Sequence, residues 1–188
     1  MPQLILGIDA SPNRLGWGLV TLDDGSPIGC GWWAVNLRAV AWRQAPLTDL
    51  IAKRLGDLDV SAVYVERPAI PRQYQGDAAL DNGRALQAAV SSLRAVFGSM
   101  IPLEELRDAT WKSLAGVGPK KAATIDHVRD AVDPPWPTRQ ACKPHVYMQA
   151  LLLGFDPEGS QDAADAACIA VAGYKREVAK DRARGVNA

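Results

Sequence analysis

Leu4-Ile5-Leu6-Gly7-Ile8-Asp9 is an apolar run that ends abruptly in one carboxylate. A run of this length bounded by turn residues reads as a strand buried on both faces, and Ala10-Ser11-Pro12-Asn13 supplies the turn. Asp9 therefore closes a central strand. Working outward, three more acidic residues fall at comparable boundaries: Glu66 ends Ala62-Val63-Tyr64-Val65, while Asp162 and Asp165 open the last helical stretch. Four carboxylates at one edge of a sheet repel one another unless something positive lies between them. Hard divalent cations with oxygen ligands meet that need, and the chain reads as a scaffold for such a site.

The 188 residues suit one domain spanning 1–188, long enough to bury a sizeable core. Lys plus Arg equals Asp plus Glu at 21 each, so no global basic field exists and a nucleic-acid partner has to be held by local patches. Cys30, Cys142 and Cys168 are odd in number, far apart and without CxxC spacing, which reads as reduced thiols. With only His127 and His145 beside them, the pattern counts against a Cys/His zinc site. No stretch has the character of a signal peptide or the length of a membrane span, so a soluble, cytoplasmic protein is expected.

Strand signals recur in Gly16 to Leu22 and Ile28 to Val35, joined by the hairpin turn Asp23-Asp24-Gly25-Ser26. Trp32 and Trp33 in the third strand point to opposite faces, which sends one to the core and leaves the other exposed or covered by a helix, and both read as structural. Arg43 to Leu55 is helical in period and stops at Gly56, and Val60 to Glu66 is the fourth strand. The segment from Arg67 to Gly76, with Arg67, Arg72 and Tyr74 among two prolines, reads equally as a substrate-contacting loop and as a plain solvated one.

Ala78 to Phe97 is a long helix, and Ser99 to Leu103 a short strand at the far side of the parallel set. Thr110 to Lys121 leads through Gly116, Gly118 and Pro119 into a helix from Lys120 to Val132. Lys112, Lys120 and Lys121 surround that turn. A helix N-terminus there can approach phosphate, although lysines at a turn are more often a solvated face. Lys143 to Leu153 forms a further short helix, and a basic tail frays from about residue 175. Asp162 and Asp165 share one face of the last helix in its first turn, where the macrodipole favours anions. Alone, such a pair caps a helix more often than it catalyses.

Taken in order, Gly7-Ile8-Asp9 with Gly16-Trp17-Gly18, Val65-Glu66, Trp111-Lys112-Ser113 with Gly116-Val117-Gly118 and Lys121, and Asp162-Ala163-Ala164-Asp165-Ala166 resemble the RuvC family of Holliday-junction resolvases, within the RNase H-like superfamily. The resemblance implies an α/β fold with a mixed five-stranded sheet flanked by helices on both faces. It implies that Asp9, Glu66, Asp162 and Asp165 bind two Mg²⁺ or Mn²⁺ ions, with Asp9 as the bridging ligand. It also implies that Lys112 and Lys121 contact the DNA backbone. The expected activity is nicking of four-way DNA junctions by two-metal phosphodiester hydrolysis, performed by a homodimer because two opposed strands are cut. Alternatives are the same nuclease fold acting on an RNA/DNA hybrid, branched DNA or structured RNA, and a non-catalytic nucleic-acid-binding relative. The Asp-x-Ser and Gly-x-Gly pattern also resembles the first phosphate loop of the actin and sugar-kinase superfamily, but 188 residues leave no room for the second domain that fold requires.

Overall fold

A computed structural model describes residues 2–35, 45–67, 77–118 and 144–185. The chain begins with β1 (Leu4–Ala10), β2 (Arg14–Thr21) and β3 (Pro27–Ala34), continues through α1 (Ala45–Leu55) and β4 (Val60–Arg67), then α2 (Asp77–Phe97) and β5 (Leu103–Arg107). Helices α3 (Asp108–Ala115), α4 (Pro144–Leu152) and α5 (Gln161–Ala183) complete the described part. The expected helix from Lys120 to Val132 lies outside the described residues.

The five strands form one mixed sheet in the order β3-β2-β1-β4-β5. β1 pairs antiparallel with β2 and parallel with β4, and β5 adds in parallel to β4. The expected α/β class and mixed five-stranded sheet are therefore what the chain adopts. In the hairpin between β2 and β3, Asp24 accepts hydrogen bonds from the Thr21 hydroxyl and from the Ser26 amide and hydroxyl. These donors, Thr21 foremost, hold its carboxyl down at about 2.

Helices cover both faces, because β1 is apolar on both sides. Leu4, Leu6 and Ile8 pack with Val63, Val65, Leu47, Ile51, Ala89 and Leu93, under α1 and α2. Ile5, Val20, Ala62 and Tyr64 pack with Trp111, Val146, Tyr147 and the alanines of α5 on the other face. Burying each Leu, Ile or Val side chain contributes roughly 1.5–3 kcal/mol, so β1 is the strand around which both layers close.

The α5 layer lies unusually near the sheet, and glycine explains it. A Cβ at Gly7 would collide with the backbone of Ala166 and Ala170, and one at Gly18 would stand 2.6 Å from the Ala167 Cα. A Cβ at Gly16 would strike the Asp162 carbonyl. Gly7 is the register partner of Gly18, and Gly16 of Asp9, so the three glycines form a shelf across β1 and β2. The alanines of α5 sit directly on it.

Two expectations need correction. The fifth strand is Leu103–Arg107, not Ser99 to Leu103. Gly98 turns at φ 93° and Ile101 N donates to Gly98 O, so the apolar Met100 and Ile101 are spent in the turn; the strand is the charged sequence Leu103-Glu104-Glu105-Leu106-Arg107, suited to a sheet edge. The tail expected to fray from about 175 is helix to Ala183. Arg176 and Lys180 both bind Glu104 on β5 and hold that end down.

Candidate functional site

The strand register decides where the carboxylates go. Ile8 and Val65 are parallel partners, so Asp9 and Glu66, one residue further on each strand, stand side by side at the same sheet edge. Side chains alternate along a strand. Ile5 and Tyr64 face α5, and therefore Asp9 and Glu66 face it as well. Both are partly exposed.

The start of α5 is brought to the same place by the loop before it. Gly154 and Gly159 take left-handed conformations, as does Glu158 at φ 49°, and the Gly159 amide donates to the buried Tyr147 hydroxyl at 2.9 Å. Ser160 then caps the helix, its hydroxyl accepting from the Ala163 amide at 3.3 Å. With the shelf fixing its height, Asp162 lies over Gly16, the strand neighbour of Asp9. Asp165 follows one turn later, immediately before the Ala166 that covers Gly7, and is 2 % exposed. The positive end of the α5 macrodipole thus points at the edge carrying Asp9 and Glu66, and it favours negative charge there.

All four carboxylate positions share one face and one edge, although their side chains do not yet form a chelate. Among the described residues, no three His, Cys, Asp or Glu side chains converge to hold one ion. Asp162 turns to Arg14, whose Nη1 is 3.4 Å from its Oδ2, and Asp165 accepts from Gln161 Nε2 at 2.9 Å. Asp9, Glu66 and Asp165 are engaged by further groups. The donor set itself, carboxylate oxygens from three elements around a helix N-terminus, fits a hard divalent cation. The Arg14–Asp162 pair is long and half-exposed on the arginine side. Such pairs contribute about 0.2–1 kcal/mol, so a bound cation can redirect Asp162 at little cost.

The expected basic contacts are more dispersed. Lys112 is on α3, in the same layer as α5, but it pairs with Asp108 and its Nζ lies 5.2 Å from the Trp111 ring centroid. Arg67 is exposed at the end of β4, and strand alternation puts it on the face opposite Glu66; its Nε is 3.9 Å from Glu105. Arg72, Tyr74, Lys120 and Lys121 lie outside the described residues.

Two residues near the carboxylates carry no functional reading in the sequence, where Trp32 reads as structural. Arg14 reaches Asp162, and its guanidinium stands 4.7 Å over the ring of Trp32. The signal for Trp32 was present in the tandem tryptophans. Trp33 is the one that packs inward, stacking on Trp17 at 5.9 Å, while Trp32 is 40 % exposed. Nothing in the sequence pattern marked Arg14, because its role depends on a residue 148 positions away.

No protein-family model matches the chain, and no curated protein does. Among solved structures, Thermus thermophilus RuvC in complex with a Holliday junction substrate aligns over 94 % of this chain and 96 % of its own, with a TM-score of 0.60 and 17 % identity. A second Thermus thermophilus RuvC structure aligns equally well at 16 % identity. The yeast mitochondrial Holliday junction resolvase Ydc2 aligns over 96 % of this chain and 81 % of its own, with a TM-score of 0.52 and 15 % identity. The chain therefore has the RuvC-like fold over nearly its whole length, as the motif order implied.

Proposed function

We propose that this protein is a divalent-metal-dependent endonuclease that nicks four-way DNA junctions, acting as a homodimer so that two opposed strands are cut. The observation that carries the reading is the placement of Asp9, Glu66, Asp162 and Asp165 on one face and one edge of the sheet. Register, strand alternation and the glycine shelf produce that placement independently. The likeness in fold to two junction resolvases narrows the chemistry that such an edge performs.

Asp9, Glu66, Asp162 and Asp165 would hold Mg²⁺ or Mn²⁺, two ions per site. Two such ions supply an activated water and stabilise the leaving oxygen of an in-line phosphodiester displacement. The chain's own contributions are separate. The α5 N-terminus offsets the mutual repulsion of the carboxylates, and the Tyr147–Gly159 and Ser160–Ala163 bonds fix where that helix begins. Arg14 holds Asp162 aside until a cation competes for it.

A second reading keeps the nuclease chemistry and changes the substrate to other branched DNA, an RNA/DNA hybrid or structured RNA. The balanced charge of the chain and the engagement of Lys112 by Asp108 favour it, because a junction binder gains from free basic surface. Cleavage of a labelled synthetic four-way junction in Mg²⁺ or Mn²⁺, beside linear duplex and RNA/DNA hybrid, separates the two. Paired symmetric nicks in the junction alone, absent in Asp9→Asn, are expected. Cutting confined to another substrate would transfer the function to the second reading, and no cutting of any would leave a non-catalytic binder.

A further inference from the structure

The row of residues that crosses the sheet at Asp9 does not end with the carboxylates. Gly16 is the register partner of both Asp9 on β1 and Trp32 on β3, so Trp32, Gly16 and Asp9 form one line across three strands and share one face. Two strand spacings separate Trp32 from Asp9, about 10 Å. Arg14, two residues before Gly16 and on the same face, fills the angle between them, reaching the Trp32 ring on one side and Asp162 on the other.

Trp33 already supplies the inward aromatic of β3, and β3 is an edge strand. Among the exposed large apolar side chains of the described residues, Ile28, Trp32, Met100 and Leu152, Trp32 is the one aromatic, and it lies in line with the acidic edge. Without bound cations, phosphate approaching that edge meets carboxylates, so an attractive contact close by helps to hold a substrate strand there. A half-exposed guanidinium beside a flat indole meets that need, the one toward phosphate and the other toward a base.

We propose that Trp32 and Arg14 form a platform for the nucleic-acid strand presented to the carboxylate edge, Trp32 stacking on an unstacked base and Arg14 pairing with the adjoining phosphate. The proposal rests on the nuclease reading and adds a preference to it: substrates with an unpaired or easily unstacked base near the cut, such as branch points, over continuous duplex.

The test is binding of a fluorescently labelled four-way junction and of a linear duplex to the full-length chain in EDTA, followed by anisotropy over a range of salt. Trp32→Ala is expected to weaken junction binding about tenfold and leave the weak duplex binding nearly unchanged, with Trp32→Phe restoring most of the loss. Arg14→Gln is expected to lower the slope of log affinity against log salt by about one, which loss of a merely structural arginine would not do. Junction binding by Trp32→Ala equal to wild type would overturn the platform while leaving the nuclease reading intact. Failure of the wild-type chain to bind any nucleic acid would overturn both. Should Trp32→Ala alter the melting curve, the Arg14→Gln slope decides, and an unchanged slope overturns the proposal.

Discussion

The two ends of α5 carry acidic side chains in opposite circumstances. At the C-terminal end, Glu177 and Glu104 meet Arg176 and Lys180. Lys180 Nζ is 2.7 Å from Glu177, 3.1 Å from Glu104 and 3.1 Å from the Tyr64 hydroxyl, which itself donates to Glu177. Two carboxylates answer two cations, and the Tyr64 ring fills the space left by Gly173. At the N-terminal end, Asp162 and Asp165 stand near Asp9 and Glu66; a half-exposed Arg14 reaches Asp162 at 3.4 Å, Gln161 donates to Asp165, and Asp9, Glu66 and Asp165 are engaged by further groups. One helix thus ends in an ionic clamp with β5 and begins beside the sheet edge where Asp9 and Glu66 stand.

The largest effect expected from disturbing this arrangement comes from the shelf under the first half of α5. Gly7→Val places a branched side chain against the backbone of Ala166 and Ala170, which moves only if the helix lifts. A loss of about 3 kcal/mol or more in urea denaturation is expected. Gly83→Ala, where a Cβ meets nothing within 4 Å, should be neutral or stabilising by up to about 1 kcal/mol. Similar costs at both positions would mean that the close approach of α5 is not what the glycines provide.

At the other end, Tyr64→Phe removes one hydroxyl from the clamp and should cost about 1 kcal/mol while leaving cleavage intact. Asp9→Asn should do the reverse, abolishing cleavage with no loss of metal-free stability. A Tyr64→Phe variant that melts normally and cleaves poorly would erase the distinction between the ends.

The clamp also has a pH signature. Burial raises the Glu177 carboxyl, but the hydrogen bonds from Lys180 and Tyr64 and the Lys180 charge outweigh burial and hold it below its ordinary value. A depressed folded-state value stabilises the protein above the unfolded carboxyl range and loses that contribution as pH falls through the folded value. Wild type should therefore exceed Glu177→Gln by up to about 1 kcal/mol at neutral pH, with the gap closing below about pH 4. A gap that persists in acid would show that packing, and not charge, joins α5 to β4.

The smallest change is expected at Arg14. Arg14→Gln should alter stability by less than about 0.5 kcal/mol, because an exposed ion pair at this separation contributes little. By releasing Asp162 it should raise Mn²⁺ affinity about twofold, read by titration. Weaker Mn²⁺ binding would mean that Arg14 positions Asp162 instead of competing for it.

Much of this was legible in the sequence because local pattern and tertiary role coincide. The doubly apolar β1, the hairpin at Asp24 and the carboxylates at element ends could all be read from neighbours in the chain. β5 lies four residues beyond its expected place because the apolar Met100 and Ile101 outweigh the charged, non-alternating Leu103 to Arg107 as a strand signal, and the turn at Gly98 decides between them only in three dimensions. The end of α5 was read as frayed because its charges resemble a solvated tail until Glu104, from a different element, comes beside them. Gly7, Gly16 and Gly18 belong to the motifs that carry the family resemblance, but their role as a seat for alanines depends on a helix some 150 residues later in the chain. Arg14 stayed hidden for the same reason.

Calorimetric titration of Mn²⁺ into the full-length chain tests the account most directly. Saturable binding is predicted for wild type and for Glu104→Gln at the clamp, and its loss for Asp9→Asn and Asp165→Asn at the acidic edge. Saturable binding that survives Asp9→Asn, or none in the wild-type chain, would contradict the assignment of the two ends.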